Sequence, residues 1–299
     1  MLRSILARRS EKGMRFVDIK FSQRSAQPGG SISGVVVVHA DECFNCNRII
    51  LKVRGRERTE MGSGDTRITD EVLHADGEIL LCDAHEVQQG KSEFPFKFWL
   101  DEGLPPTYSG YYGWIEYTVE AVVEVNWALD PRMKRQFRVL PVYPAYIPEL
   151  DGYNPKNKDN DELHVELLSE VLRIKKGIPV RFMVEQHSRI NGVRIEIRKR
   201  EYATCQRSDR TNDTTIKMEF IPITETEFDR WIEVTMVEGW HHVPFKSRLL
   251  AISFYLRVVL EMRWELDPEV KYQLDVSGEK PGEEVEEILD STTFDLGFN

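Results

Sequence analysis

From Ser31 onward the chain alternates short runs of apolar and polar positions at the period of strands. SISGVVVVHA (31–40), RIILKVRGRE (48–57), TRITDEVLHA (66–75), EILLC (78–82), EFPFKFWL (93–100) and WIEYTVEAVVEVNWAL (114–129) are rich in Val, Ile, Thr and aromatics. Clusters of Gly, Asp or Asn bound them. The second half continues in the same manner with IPVRFMVEQ (178–186), GVRIEIRKREY (192–202), TIKMEFIPI (215–223), RWIEVTMV (230–237) and RLLAISFYLRVVLEMRWEL (248–266). Helical patterning is confined to the first dozen residues and a short turn near the end. Many short strands at near-regular spacing predict an all-β protein built of antiparallel sandwiches.

An internal repeat divides these strands into two sets. VNWALDPRMKRQFRV (125–139) aligns with MRWELDPEVKYQLDV (262–276), and from Trp127 to Trp264 is 137 positions. A second resemblance, FPFKF (94–98) with VPFKS (243–247), runs from Pro95 to Pro244, which is 149 positions. Taken together, the two offsets predict 12 extra residues in the first repeat, falling in the loop DEGLPPTYSGYYG (101–113). Asp130 and Asp267 each precede a proline after a strand, where an Asp accepts backbone hydrogen bonds and starts a turn. Two tandem sandwiches are expected at 14–150 and 163–278. A leader at 1–13, a polar linker at 151–162 and an acidic tail at 279–299 complete the plan.

Composition narrows the function classes. The 299 residues are 41% hydrophobic and 30% charged, an ordinary globular balance, and the net charge of −10 argues against a phosphate-reading surface. No nucleic-acid partner is expected. No apolar run is long enough to span a bilayer. The leader MLRSILARRSEKG sets Leu2, Ile5 and Leu6 beside Arg3, Arg8, Arg9 and Lys12, either a frayed end or a weak membrane-surface element.

The order of PGGSISGVVVV, RIILKVRGRE, FPFKFWL and LPPTYSGYYGWIEYTVEAVV closely resembles the N-terminal domain of arrestin-like proteins. IPVRFMVEQ, GVRIEIRKRE and LLAISFYLRVVLEM resemble their C-terminal domain. The resemblance spans about residues 14–278. The superfamily includes visual, beta- and alpha-arrestins, the arrestin-fold cargo subunit of retromer, and bacterial sporulation-control proteins. It implies two side-by-side sandwiches on a short hinge and a non-enzymatic adaptor or scaffold. Such a protein would be cytoplasmic, peripheral at membranes, and would link a membrane-protein tail to a coat or signalling component. The alternatives are a bacterial regulator of the sporulation-control type and a zinc-stabilised accessory module.

Three stretches carry candidate chemistry. Pro105, Pro106, Thr107 and Tyr108 spell the PPxY peptide that WW domains bind. The resemblance instead implies a turn of the fold, and both readings stand. Tyr108, Tyr111, Tyr112 and Trp114 either close the end of the sandwich or form a part-exposed interaction surface. Cys43-x-x-Cys46 and Cys82-x-x-His85 match the ligand set of a structural zinc site. If strands 33–40, 48–57 and 66–75 alternate in direction, both segments lie at one end of the first sandwich. The competing reading is a buried Cys serving as a small hydrophobe. In the tail, Phe294, Leu296 and Phe298 recur among Asp, Ser and Thr, as in a short acidic-hydrophobic ligand or an added strand, and the competing reading is a disordered acidic tail that keeps the protein soluble.

No catalytic residue is expected. The chain holds no G-x-S-x-G elbow, P-loop, G-x-G-x-x-G or H-E-x-x-H, and His241 and His242 would point to opposite faces if extended. No disulfide is expected, and no cofactor other than the zinc under consideration. Arg54, Arg56 and Arg58 alternate along one strand, as a basic stripe or as an ordinary solvent-facing row.

Overall fold

A computed structural model describes residues 15–278 apart from 127–128, 146–155, 161, 170, 174–176, 187–188, 238–242 and 264–265. The leader, His241, His242, Phe294, Leu296 and Phe298 lie outside the described residues.

The first half contains β1 (Arg15–Gln23), β2 (Ser25–Ala26), β3 (Ser31–Ala40), β4 (Phe44–Cys46), β5 (Arg48–Met61) and β6 (Ile68–Cys82). It continues with β7 (His85–Val87), β8 (Gly90–Trp99), β9 (Tyr108–Ser109), β10 (Gly113–Glu124) and β11 (Arg132–Val139). The second half contains β12 (Lys156–Asn160), β13 (Leu163–Leu167), β14 (Val171–Arg173), β15 (Ile178–Val184) and β16 (Ile190–Cys205). After these come β17 (Ser208–Pro222), β18 (Ile232–Met236), β19 (Phe245–Lys246), β20 (Leu250–Met262) and β21 (Glu269–Ser277).

Each half folds as a sheet-on-sheet sandwich. In the first, β1-β3-β8 faces β2-β11-β10-β5-β6, with β9 added along β10. In the second, β12-β13-β15-β18 faces β14-β21-β20-β16-β17, with β19 added along β20. The alternation in the sequence is the cause. Along β5 the residues Ile49, Leu51, Gly55, Glu57, Thr59 and Met61 are buried, while Lys52 and Arg54 between them are exposed. Two cores result, one around Ile32, Leu51, Tyr117 and Phe137, the other around Phe182, Ile195, Phe254 and Leu256.

The repeat extends to single hydrogen bonds. β2 pairs in parallel with β11 (Val139 with Ala26), and β14 pairs in parallel with β21 (Val276 with Leu172). Val125 N–H donates to Asp130 Oδ1 at 3.1 Å, and Met262 N–H donates to Asp267 Oδ1 at 2.9 Å. Both aspartates thus hold the turn that follows a long strand.

Two expectations change. VPFKS is not the counterpart of FPFKF, which lies in β8. Phe245 pairs with Ile252 as Tyr108 pairs with Ile115, so VPFKS corresponds to PTYSG, and the offset is again 137 positions from Tyr108 to Phe245. From Trp99, the end of β8, to Met236, the end of β18, is also 137 positions, so loop 101–113 carries no insertion. Proline-phenylalanine-lysine recurs by chance in two different elements. Secondly, Lys156–Asn160, within the stretch expected to be linker, forms the outer strand β12 against β13. An outer strand is specified by backbone hydrogen bonds and needs no apolar run.

Candidate functional site

The turn from Leu104 to Gly113 leaves β8, runs through β9 and enters β10, and the PPTY residues are tied into the fold along its length. Pro105 is buried, and its carbonyl accepts from Tyr117 Oη at 2.7 Å. Thr107 N–H donates to the Val139 carbonyl at 2.9 Å, and Thr107 Oγ1 accepts from Val139 N–H at 2.9 Å. Pro106 and Tyr108 are half-buried. A WW domain needs both prolines and the tyrosine displayed on an extended peptide, whereas here the prolines' chain is anchored at Tyr117 and Val139.

Tyr108 points across to the second sandwich. Its Oη donates to Glu201 Oε2 at 2.8 Å. The same carboxylate accepts from Tyr111 N–H at 2.8 Å and Tyr112 N–H at 2.7 Å. Burial above all, then the adjacent Glu201 charge, pushes the Tyr108 phenol far upward, so it stays protonated and serves as a donor. Lys199 Nζ stands 5.6 Å from the Tyr108 ring centroid. The five predicted contact residues of this turn are thereby brought together but differently presented. Tyr111 is 72% exposed, its ring edge-on to Tyr112 at 4.8 Å between centroids, while the other four are at least half-buried.

Glu57 forms a second buried polar centre. Its Oε1 accepts from Ser247 Oγ at 2.5 Å and Leu249 N–H at 3.0 Å, and its Oε2 lies 2.7 Å from His74 Nε2. Burial pushes this carboxyl up, but the hydrogen bonds from His74, Ser247 and Leu249 outweigh it and hold the group below its ordinary value. Neither Glu57 nor Glu201 is singled out by motif. Their signal is a carboxylate at an inward position of an alternating strand, in RGRE and RKRE of matching strands β5 and β16. Finding it requires the strand phase, which the sequence supplies, and the donors, which it does not.

The Cys/His group is assembled in part. β4 pairs with β7, placing Cys46 opposite His85, and Cys82 ends β6, so the two segments do meet at one end of the sandwich. His85 Nδ1 lies 3.3 Å from Cys46 Sγ, 3.3 Å from Cys82 Sγ and 3.1 Å from the Asp83 carbonyl. Cys43 is exposed and turns to Gln88 Oε1 at 3.8 Å. Among the described residues, no group of three or more His, Cys, Asp or Glu is arranged to hold a metal ion. His85 Nδ1 is thus within hydrogen-bond reach of both thiols. Burial, then the neighbouring Cys46, pushes the Cys82 thiol up, as suits a protonated side chain. Cys205 ends β16 fully buried in the first core.

The arginine row is neutralised. Arg54 pairs with Asp76, Arg56 with Glu71 and Glu116, and Arg58 with Glu60. Arg56 also stacks over Trp114, 5.1 Å from its centroid.

Residues 17–145 match the family model of the arrestin (or S-antigen) N-terminal domain. This part of the chain is an arrestin-like domain. Mouse (Mus musculus) arrestin domain-containing protein 4 is 30% identical over 129 residues, covering 38% of this chain and 31% of that protein. The human (Homo sapiens) protein of the same name gives the same identity and coverage, also over 129 residues. Arrestin domain-containing protein 17 of Caenorhabditis elegans is 26% identical over 129 residues, covering 38% of this chain and 30% of that protein. The matched part thus spans about a third of these curated relatives' own length. The matched region is the first sandwich, with the PPTY turn inside it. No described helix is long and apolar enough to cross a membrane.

Proposed function

We propose that this arrestin-like protein is a non-enzymatic adaptor. It binds a protein client, such as a membrane-protein tail, and links it to trafficking, sorting or signalling machinery in the cytoplasm, in part at membrane surfaces. The observation that carries this reading is Tyr111. The residue is 72% exposed, yet its backbone N–H is held by the Glu201 carboxylate. A rigidly mounted exposed aromatic gives large contact area at low entropic cost, which is the character of an interface anchor. The tail residues Phe294, Leu296 and Phe298 are proposed as a second contact.

The test is quantitative affinity capture with the full chain, a Tyr111→Ser variant and a 1–278 truncation. Tyr111→Ser leaves the melting temperature within about 2 °C of the parent, as expected for an exposed side chain. Partners depleted by the Tyr111 variant locate the client surface at the turn, and partners depleted only by truncation locate it in the tail. A partner set that neither change alters refutes both assignments.

A further inference from the structure

Glu57 and Glu201 occupy one and the same place in the two repeats. Thr59 pairs with Gly113 in the first sandwich, and Ala203 pairs with Leu250 in the second. Since Gly113 and Leu250 are repeat equivalents, so are Thr59 and Ala203, and the glutamates two residues before them correspond. Both are essentially inaccessible, at 0% and 1% exposure. The carboxylate of each reaches the turn that follows the short added strand of the other sandwich. Those turns are equivalent as well: Gly110 N–H donates to the Gly113 carbonyl and Ser247 N–H to the Leu250 carbonyl, each at 2.8 Å. The matching amides of Tyr112 and Leu249 donate to Glu201 and Glu57 respectively.

A buried carboxylate is tolerated only where hydrogen bonds or a cation replace its lost hydration. Here the replacement is mostly supplied by the opposite sandwich, so separating the two would strip the carboxylates of their partners. The two halves are unequal. All three hydrogen bonds to Glu201 come from Tyr108, Tyr111 and Tyr112 of the first sandwich. Glu57 takes Ser247 and Leu249 from the second but keeps His74 from its own. Around this pair Thr59 Oγ1 donates to the Thr204 carbonyl at 2.7 Å, and Ala203, Cys205 and Leu250 enter the first core.

We infer that Glu57 and Glu201 form a reciprocal latch that sets the placement of the two sandwiches, with Glu201 as the dominant half. The His74 contact lets the Glu57 side open without orphaning its charge, whereas the Glu201 side holds until the whole interface parts. The device lies within the chain and operates whether or not a client is bound.

Amide hydrogen exchange on the full-length Glu201→Gln and Glu57→Gln proteins tests this. Glu201→Gln raises exchange at the Tyr111 and Tyr112 amides about ten-fold or more, and at Leu249 as well, because the interface parts. Glu57→Gln raises exchange at Leu249 while Tyr111 and Tyr112 stay near the parent rate. Strand amides of β10 and β20 serve as the control for intact sandwiches. Equal and purely local effects, or opening of both turns by Glu57→Gln alone, overturn the inference. If Glu201→Gln also unprotects the control strands, Tyr108→Phe removes one donor only. It then raises exchange at Tyr111 and Tyr112 a few-fold, and unchanged rates refute the latch.

Discussion

Tyr108 and Phe245 stand 137 positions apart, at the same place in the two repeats, and their rings meet edge to face with centroids 5.2 Å apart. Each borders both cores. The contact between them is the midpoint of the pseudo-symmetric interface that the two glutamates flank. Edge-to-face pairs of this kind contribute about 0.5–1.5 kcal/mol beyond their buried area. A double-mutant cycle of Tyr108→Leu and Phe245→Leu, followed by urea unfolding, is expected to give a coupling energy of about 1 kcal/mol. Strict additivity would show that the rings merely adjoin.

Gly110 is the position where the interface admits no side chain. A Cβ there would lie 2.1 Å from Glu201 Oε2 and 2.6 Å from Tyr108 Cε1. Gly110→Ala therefore displaces the carboxylate from its donors and is expected to cost about 2 kcal/mol or more. Gly103, nearby in the same loop, has nothing within 4 Å of the equivalent point. Gly103→Ala should change stability by less than about 0.5 kcal/mol, and thermal midpoints of the two variants make the comparison.

Acid should weaken the interface through Glu57. Its folded value lies below the ordinary 4.5, so ionisation favours the native state. That stabilisation is complete above the ordinary value and is lost as the pH falls through the lower folded one. Urea midpoints measured between about pH 6 and pH 3 should decline more steeply for the parent than for Glu57→Gln, which has no carboxyl to protonate at this site. Parallel declines would mean that other carboxylates dominate the acid limb.

Asp130 and Asp267 make one equivalent bond each, to Val125 N–H and Met262 N–H. Asp130→Ala and Asp267→Ala are each expected to cost about 1–2 kcal/mol, as hydrogen bonds to charged groups do. The sites lie in different sandwiches and share no partner, so the double variant should show the sum within about 0.5 kcal/mol.

Purified protein should contain far less than one equivalent of zinc by elemental analysis. Cys46 and Cys82 each meet His85 Nδ1 at hydrogen-bond distance, and Cys43 faces Gln88. Stoichiometric zinc lost on Cys82→Ser would reverse this expectation.

Strand phase, the two-sandwich plan and the capping role of Asp130 and Asp267 were all legible in the sequence, because each depends on local periodicity or on a few neighbouring residues. Inward-facing Ile49, Leu51 and Tyr117 follow from alternation alone. The repeat was legible where side chains are constrained twice, as in the LDP turns, and misleading where a short word recurred, as with FPFKF and VPFKS. What tertiary structure decided was partnership. Whether PPTY is displayed depends on Tyr117, Val139 and Glu201, distant in sequence, and alternation can mark Glu201 as inward without naming the donors that make it tolerable. Local patterning fixes the face a residue presents, while the packing of one sandwich against the other fixes what that face meets.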